Sequence, residues 1–417
     1  MSNKLWPKKK ISWLFDVIGS GTTPSALNEL YYDSPDMAWL NTGDLTDNYI
    51  EKTSKYVSQQ ALDEFSALTV FPKDSLVMAM YGATIGKLGI TRYETTTNQA
   101  CCVLSKPREV ITKFIFYWLM GHRAEIINLS QGGGQPNISQ GIIRDIRIAV
   151  PPVELQNKIV TFIDNKFEET NQLIDKKEKM INLLEQQRQS IITEAVTKGL
   201  NPNARMKDSG VEWIGEIPEH WEVKPLYSLY KENKLKNKGN VITNVLSLSY
   251  GKIKRRDVES NFGLLPDSFE TYQIIQKDDI VLRLTDLQND KRSLRVGLVN
   301  EEGIITSAYL GLKQSNKSIS EYTYYLLHSY DLTKVFYGLG SGVRQSMGFT
   351  EMKKLPILLP PLEEQFEIIN QLKVKVLANE QLIDMLKTQI EKLKEYRQSL
   401  IYEAVTGKID VRDMELD

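Results

Sequence analysis

The sequence predicts an α+β chain: two mixed α/β domains separated by two long helices that fold back on each other as an antiparallel intramolecular coiled coil, with pseudo-twofold symmetry. Three observations carry this reading. The segment from Pro151 overlays that from Pro360 at a constant offset of 209 with no gap, and 20 of the 47 positions from 151 to 197 are identical to their partners. Each copy then runs for over forty residues without Pro or Gly. What lies outside the copies alternates short β-branched or aromatic runs with turn residues and a few helical stretches, the pattern of an α+β domain used twice.

The first domain is expected over 1–150. Ser75 to Tyr81 reads as a strand and Thr112 to Leu119 as a helix. The segment 151–198 is the first long helix. Pro151-Pro152 disfavours helix before it and suits a first turn, and Pro-Pro-x-Glu-x-Gln recurs at Pro360 to Gln365. At 4,3 spacing the first copy places Ile163, Phe167, Thr170, Ile174, Lys177, Ile181, Leu184, Arg188, Ile191 and Ala195 on a seam. A linker is expected over 199–220, a second domain over 221–359 and the second long helix over 360–408, with a tail over 409–417. In the second domain Asp279 to Leu284 reads as a strand and Glu321 to His328 as a helix. Trp6 begins an apolar-spaced stretch like that at Trp221. The second seam is Leu372, Val376, Asn379, Ile383, Leu386, Ile390, Leu393, Arg397, Leu400 and Ala404.

The polar seam positions orient the pair. In a parallel, in-register pair Arg188 would face Arg397, a like-charge contact with a desolvation cost and no partner. Run antiparallel with full overlap, Arg188 meets Asn379, Arg397 meets Thr170 and Lys177 meets Ile390. Heptads do not name their partner, so pairing of each helix with another chain remains the alternative. From Glu154 to Thr197 is 44 residues, or about 66 Å at 1.5 Å per residue, which suits a spacer better than a core helix.

The chain has 417 residues, 25% of them charged and 41% hydrophobic, with a formal net charge of -1. That argues against nucleic-acid or membrane affinity spread over the whole surface and requires any basic site to be local. The two cysteines, Cys101 and Cys102, are adjacent and read as buried small side chains in a reducing, cytoplasmic protein. No segment reads as an export signal or membrane span. His122, His220 and His328 show no metal spacing. Gly82 to Leu88 resembles a phosphate-binding loop but has too few residues between its glycines and no Ser or Thr after Lys87, so it reads as a strand turn. No nucleophile elbow, dinucleotide fingerprint, methyltransferase or nuclease pattern is found, and no catalytic residue or bound cofactor is expected.

Charge is concentrated in one place. Lys231 to Arg256 holds eight cations, among them Lys252, Lys254, Arg255 and Arg256, against Glu232 alone, a net +7 suited to phosphates. Arg283, Gln288, Asn289, Lys291, Arg292 and Arg295 add side chains that read base edges in a major groove. Arg344 and Gln345 offer the same chemistry beside Gly340 and Gly342. In the first domain the candidates are Lys87, Gln131, Gln135 and Asn137. For each of these a solvated surface loop is the competing reading.

Taken together, the duplicated Pro-Pro-x-Glu-x-Gln start with its long helix, the stretch Met206 to Trp221 and the segment Gly338 to Ser346 resemble the specificity subunit of type I restriction-modification systems. Gly19 to Pro24, Thr42 to Leu45, Gly82 to Lys87 and Thr97 to Ala100 agree, so the resemblance covers essentially the whole chain. It implies two target recognition domains, each reading one half of an interrupted duplex DNA sequence, on an antiparallel coiled coil that fixes the gap and docks two methyltransferase (modification) subunits. It further implies two motor-nuclease (restriction) subunits, with S-adenosylmethionine, ATP and magnesium on the partners and none on this chain. A coiled-coil scaffold with two protein-binding domains is the alternative, and an enzyme active alone is the remaining one.

Overall fold

The computed structural model describes residues 6–130, 136–256, 268–287, 294–315, 318–339, 346–412 and 414. The chain divides into two compact units, Met1–Lys177 with Lys387–Asp417, and Glu178–Leu386. Each unit therefore contains one globular domain and half of each long helix.

In the first unit a five-stranded sheet runs in the order Phe15–Gly19, Cys101–Pro107, Leu76–Ala79, Leu88–Thr91, Asn48–Ile50. All its pairs are antiparallel except the last. Successive residues of a strand face opposite sides: Cys102 packs with Leu76, Met78 and Phe114, and Cys101 with Leu40, Val77 and Val103. Both thiols are buried and free, and burial pushes each up to about 12, which leaves them unreactive packing groups. The Gly82 to Lys87 segment is a turn between paired strands, with Gly82 and Gly86 at φ 78° and the Gly86 amide donating to Ala79. The helix Thr112–Gly121 covers the sheet.

The second unit is built on a four-stranded antiparallel sheet, Tyr230–Glu232, Leu310–Gln314, Ile280–Leu282, Val296–Leu298. The helix Ser320–Leu332 packs on it through Tyr322, Leu326 and Leu327. The stretch expected as a linker contains a small hairpin, Met206–Asp208 with Glu216–Pro218.

The long helices are Val153–Lys198 and Leu362–Val405. In the first unit Ile159, Phe162 and Ile163, early in the first helix, share a core with Leu400, Ile401, Ala404 and Val405, late in the second. In the second unit Ile192, Ala195 and Val196, late in the first, meet Ile368, Ile369 and Leu372, early in the second. Early residues pack on late ones in both, which is the antiparallel pairing. All fifteen apolar seam positions are buried or half-buried: Ile163, Phe167, Ile174, Ile181, Leu184, Ile191, Ala195, Leu372, Val376, Ile383, Leu386, Ile390, Leu393, Leu400 and Ala404. Off the seam, Leu183 and Val374 are 63% and 69% exposed. Full burial of one such side chain contributes about 1.5–3 kcal/mol, so the seam and not apolarity alone sets the pairing.

The polar seam residues find partners within a residue or so of those expected. Arg397 donates to Asn171 Oδ1 at 2.9 Å and lies over the Phe167 ring. Lys177 donates to Gln389 Oε1 at 2.6 Å. Arg188 reaches Glu380 at 3.4 Å, and the Asn379 amide donates to the Leu184 carbonyl.

The duplication also explains two local features. The buried Gln156 accepts from the Ile111 amide at 2.9 Å and donates to the Pro151 carbonyl; the buried Gln365 accepts from Ile319 at 3.0 Å and donates to Pro360. Ile111 and Ile319 are the N-caps of the two domain helices, so the motif's Gln accepts from the cap residue's own backbone N–H, the part that a Glu or Gln at the third helical position plays in a capping box. Gly199 and Gly407, which end the long helices, sit at φ 77° and 74° under Trp221 and Trp6 respectively. Both positions need a residue that tolerates left-handed backbone and leaves room for an indole.

Candidate nucleic-acid interface

In the second unit the basic segment forms a hairpin, Leu246–Ser249 paired with Lys252–Arg255. Lys252 and Lys254 are exposed, and Lys252 lies 3.1 Å from Glu380 of the second long helix. Arg255 is held by Glu301 through its Nε and Nη2, an exposed bidentate pair that raises its guanidinium above the ordinary range. The Arg256 amide donates to Val245. Arg283 is half-buried at the start of a loop, its amide donating to the Arg295 carbonyl.

Arg295 departs from expectation. It is 0% exposed, and its Nη1 donates to the carbonyls of Arg283 at 3.0 Å and Thr285 at 2.9 Å, its Nε to the Tyr337 hydroxyl at 3.2 Å. Its amide donates to Asp331 at 2.7 Å. A guanidinium committed to the protein interior cannot also read a base, so Arg295 leaves the set of surface candidates and ties down the loop beginning at Arg283. Gln288, Asn289, Lys291, Arg292, Arg344 and Gln345 lie outside the described residues, as do Gln131 and Gln135 of the first domain.

In the first unit Lys87 is exposed on the turn after Leu76–Ala79, and the exposed Asn137 bridges to Tyr81 on the same turn. Amides and hydroxyls gather on neighbouring loops: Thr23 donates to Gln99 Oε1 at 2.6 Å, Gln140 to Ser20 at 2.6 Å and Asn98 to Asn41 at 3.0 Å. Gly21 makes this possible, since a Cβ there would stand 1.8 Å from the Thr97 carbonyl oxygen. Ser20, Thr23, Asn98 and Gln99 lie in segments that carry the resemblance, whereas Asn41 and Gln140 stand outside them. The signal for Gln99 and Gln140 was their amide chemistry beside turn residues, which is too common to single them out.

Among the described residues no group of three or more His, Cys, Asp or Glu could hold a metal ion, and no helix is long and apolar enough to cross a membrane. Of the histidines, His122 stacks on Trp118 and His220 meets Glu364 at 2.7 Å. His328 is 8% exposed, stacks on Tyr324, and is held at about 4 by burial first and the Arg188 charge second. Its folded state keeps it neutral where the unfolded chain takes a proton near 6.5. Its contribution is therefore intact above pH 6.5 and lost as pH falls towards 4, by about 3 kcal/mol. Urea unfolding between pH 4 and 7 should show this slope, and His328→Gln should flatten it.

Two α/β domains with cations and amides on their loops, each joined to one half of an antiparallel helix pair, define a duplicated recognition protein. A sequence model described as type I restriction modification DNA specificity domain matches residues 3–183 and 218–395, and the chain belongs to that family. It is similar to the type I restriction enzyme MjaVIII specificity subunit of Methanocaldococcus jannaschii, 23% identical over 393 residues, covering 90% of this chain and 87% of that one. The StySPI specificity subunit of Salmonella potsdam is 22% identical over 354 residues, covering 82% and 75%. Among solved structures, the HsdS subunit from Thermoanaerobacter tengcongensis shares the fold at TM-score 0.53 and 14% identity, covering 98% of each chain. A chain from a structure described as the basis of complex assembly and conformational transition of the type I R-M system shares it at 0.68 and 13%, covering 98% and 100%.

Proposed function

We propose that this chain is the non-catalytic reading subunit of a type I restriction-modification complex, each globular domain recognising one half of an asymmetric, bipartite duplex DNA target. The paired helices set the spacer and dock two methyltransferase subunits, and two motor-nuclease subunits complete the assembly in the cytoplasm. Adenine methylation with S-adenosylmethionine, ATP hydrolysis with magnesium, and cleavage belong to those partners. The observation that carries the reading is a shared frame with unlike surfaces. Gln156 and Gln365, and the Trp6–Gly407 and Trp221–Gly199 contacts, repeat from unit to unit, whereas one domain presents Lys252 and Lys254 and the other presents Gln99 and Asn137. Half-sites about one helical turn apart, roughly 34 Å, suit such a pair of readers. With a net charge of -1, the chain leaves much of the phosphate contact to the methyltransferase subunits, so it binds DNA weakly and in a salt-sensitive way when alone.

The test is a filter-binding assay with and without methyltransferase, together with mapping of methylated adenines in a host genome. One asymmetric split motif and retention of its duplex by the complex are expected. Retention without sequence preference favours the scaffold, and base modification by the purified chain alone favours an enzyme.

A further inference from the structure

The hairpin Leu246–Ser249/Lys252–Arg255 has two chemically different faces. Directly opposed residues share a face, and the register pairs Leu246 with Arg255, Ser247 with Lys254, Leu248 with Ile253 and Ser249 with Lys252. Leu246 and Leu248 are buried, and Leu248 and Ile253 lie over Gly297 of the neighbouring sheet. The other face carries two hydroxyls and two ammonium groups, Ser247, Ser249, Lys252 and Lys254, with both lysines exposed.

The tip is a two-residue turn, Tyr250-Gly251, with φ 47° and 74°. Positive φ at both positions is the hairpin geometry that Asn, Asp or Gly adopts without strain. A tyrosine there is held against its backbone preference, and it is 82% exposed. Among the described residues nothing bonds its hydroxyl. The turn beneath it is anchored: the Tyr324 hydroxyl donates to the Gly251 carbonyl at 3.4 Å, and Lys252 meets Glu380. A rigidly based ribbon thus projects an aromatic ring beside cations, at a backbone cost that folding does not require.

We propose that this hairpin is the base-reading ribbon of the second domain. Resting on the DNA-reading function above, it enters a groove of the duplex with Ser247, Ser249 and Lys254 facing base edges and phosphate, and with Tyr250 packed on the bases at its tip. A two-stranded ribbon fits the major groove, about 12 Å wide. Positions two apart on one strand stand about 7 Å apart, so Ser247 and Ser249 reach base pairs about two steps apart at 3.4 Å per step. Arg255, on the opposite face and paired with Glu301, is not part of the reading set.

The experiment uses the complex of the full chain with its methyltransferase, S-adenosylmethionine, and a duplex carrying the motif mapped from the host genome. Tyr250→Gly suits the turn better than tyrosine does, so it preserves the fold while removing the ring. Expected are unchanged assembly by gel filtration, a fall of about tenfold or more in kcat/KM, and weaker discrimination among single-base variants of one half-site only. The salt slope of binding should be unchanged for Tyr250→Gly and reduced by about one ion for Lys254→Gln. Unaltered kcat/KM and discrimination in Tyr250→Gly overturn the proposal, and so does loss of assembly, which would make the tip a protein contact. A wild-type complex with no preference for its duplex over a scrambled one overturns the reading function itself.

Discussion

Replacing Arg295 with methionine is expected to destabilise the second unit by about 3 kcal/mol, seen as a lower urea midpoint at unchanged m-value. Methionine keeps much of the volume, so the loss is one of hydrogen bonding more than of packing. The guanidinium satisfies the carbonyls of Arg283 and Thr285 at 3.0 and 2.9 Å, and removing it leaves buried acceptors without a donor at about 1–3 kcal/mol each. The Tyr337 hydroxyl loses the Nε donor as well, whereas the Asp331 carboxylate keeps the Arg295 amide, which belongs to the backbone and survives the substitution. Arg295→Lys should recover only part of this, because one ammonium can meet the two carbonyls that Nη1 meets but cannot also reach the Tyr337 hydroxyl as the separate Nε does. A destabilisation below about 1 kcal/mol would mean that the loop does not depend on this residue. Because the loop from Arg283 to Leu287 hangs on it, with Asp286 at φ 55°, discrimination at one half-site should weaken in the same variant at temperatures where it remains folded.

Arg295 also marks the limit of what a single sequence discloses. In Arg283 to Arg295 every cation looks alike, since composition carries no record of which side chain turns inward; only the fold reveals the carbonyls that one of them meets. Arg255 is a similar case, with Glu301 far away in sequence. The helices were legible for the opposite reason. Their interactions repeat at fixed spacing, so Arg188 and Arg397 could be tested against each register and the parallel one rejected on charge. The Trp6 and Trp221 echo was visible as well, although its partners Gly407 and Gly199 needed the packing to be seen. The hairpin lay between these extremes. Leu-Ser-Leu-Ser, then Tyr-Gly, then Lys-Ile-Lys-Arg is period-two alternation about a two-residue turn, but its charge drew attention to the lysines and away from the serines and the tyrosine.

Deleting one matched heptad from each helix, residues 178–184 and 382–388, should abolish methylation at the original half-site spacing. The cut removes Ile181 and Leu184 with Ile383 and Leu386, all seam positions, and leaves the Lys177–Gln389 and Arg188–Glu380 contacts on either side. Whole heptads preserve the seam, so pairing should survive, which a thermal melt can check. Each helix shortens by about 10 Å at 1.5 Å per residue, or about three base pairs at 3.4 Å. Three base pairs also turn the duplex by about 100° at 10.5 per turn, so a ruler shortened this way cannot place both domains on their half-sites at once. Forfeiting correct contact at even two or three base pairs costs on the order of a hundredfold in affinity. Any methylation that remains should fall on sites whose spacer is about three base pairs shorter. Methylation at full rate and original spacing, from a deleted chain that still melts cooperatively, would show that the distance between half-sites is set elsewhere than in the paired helices.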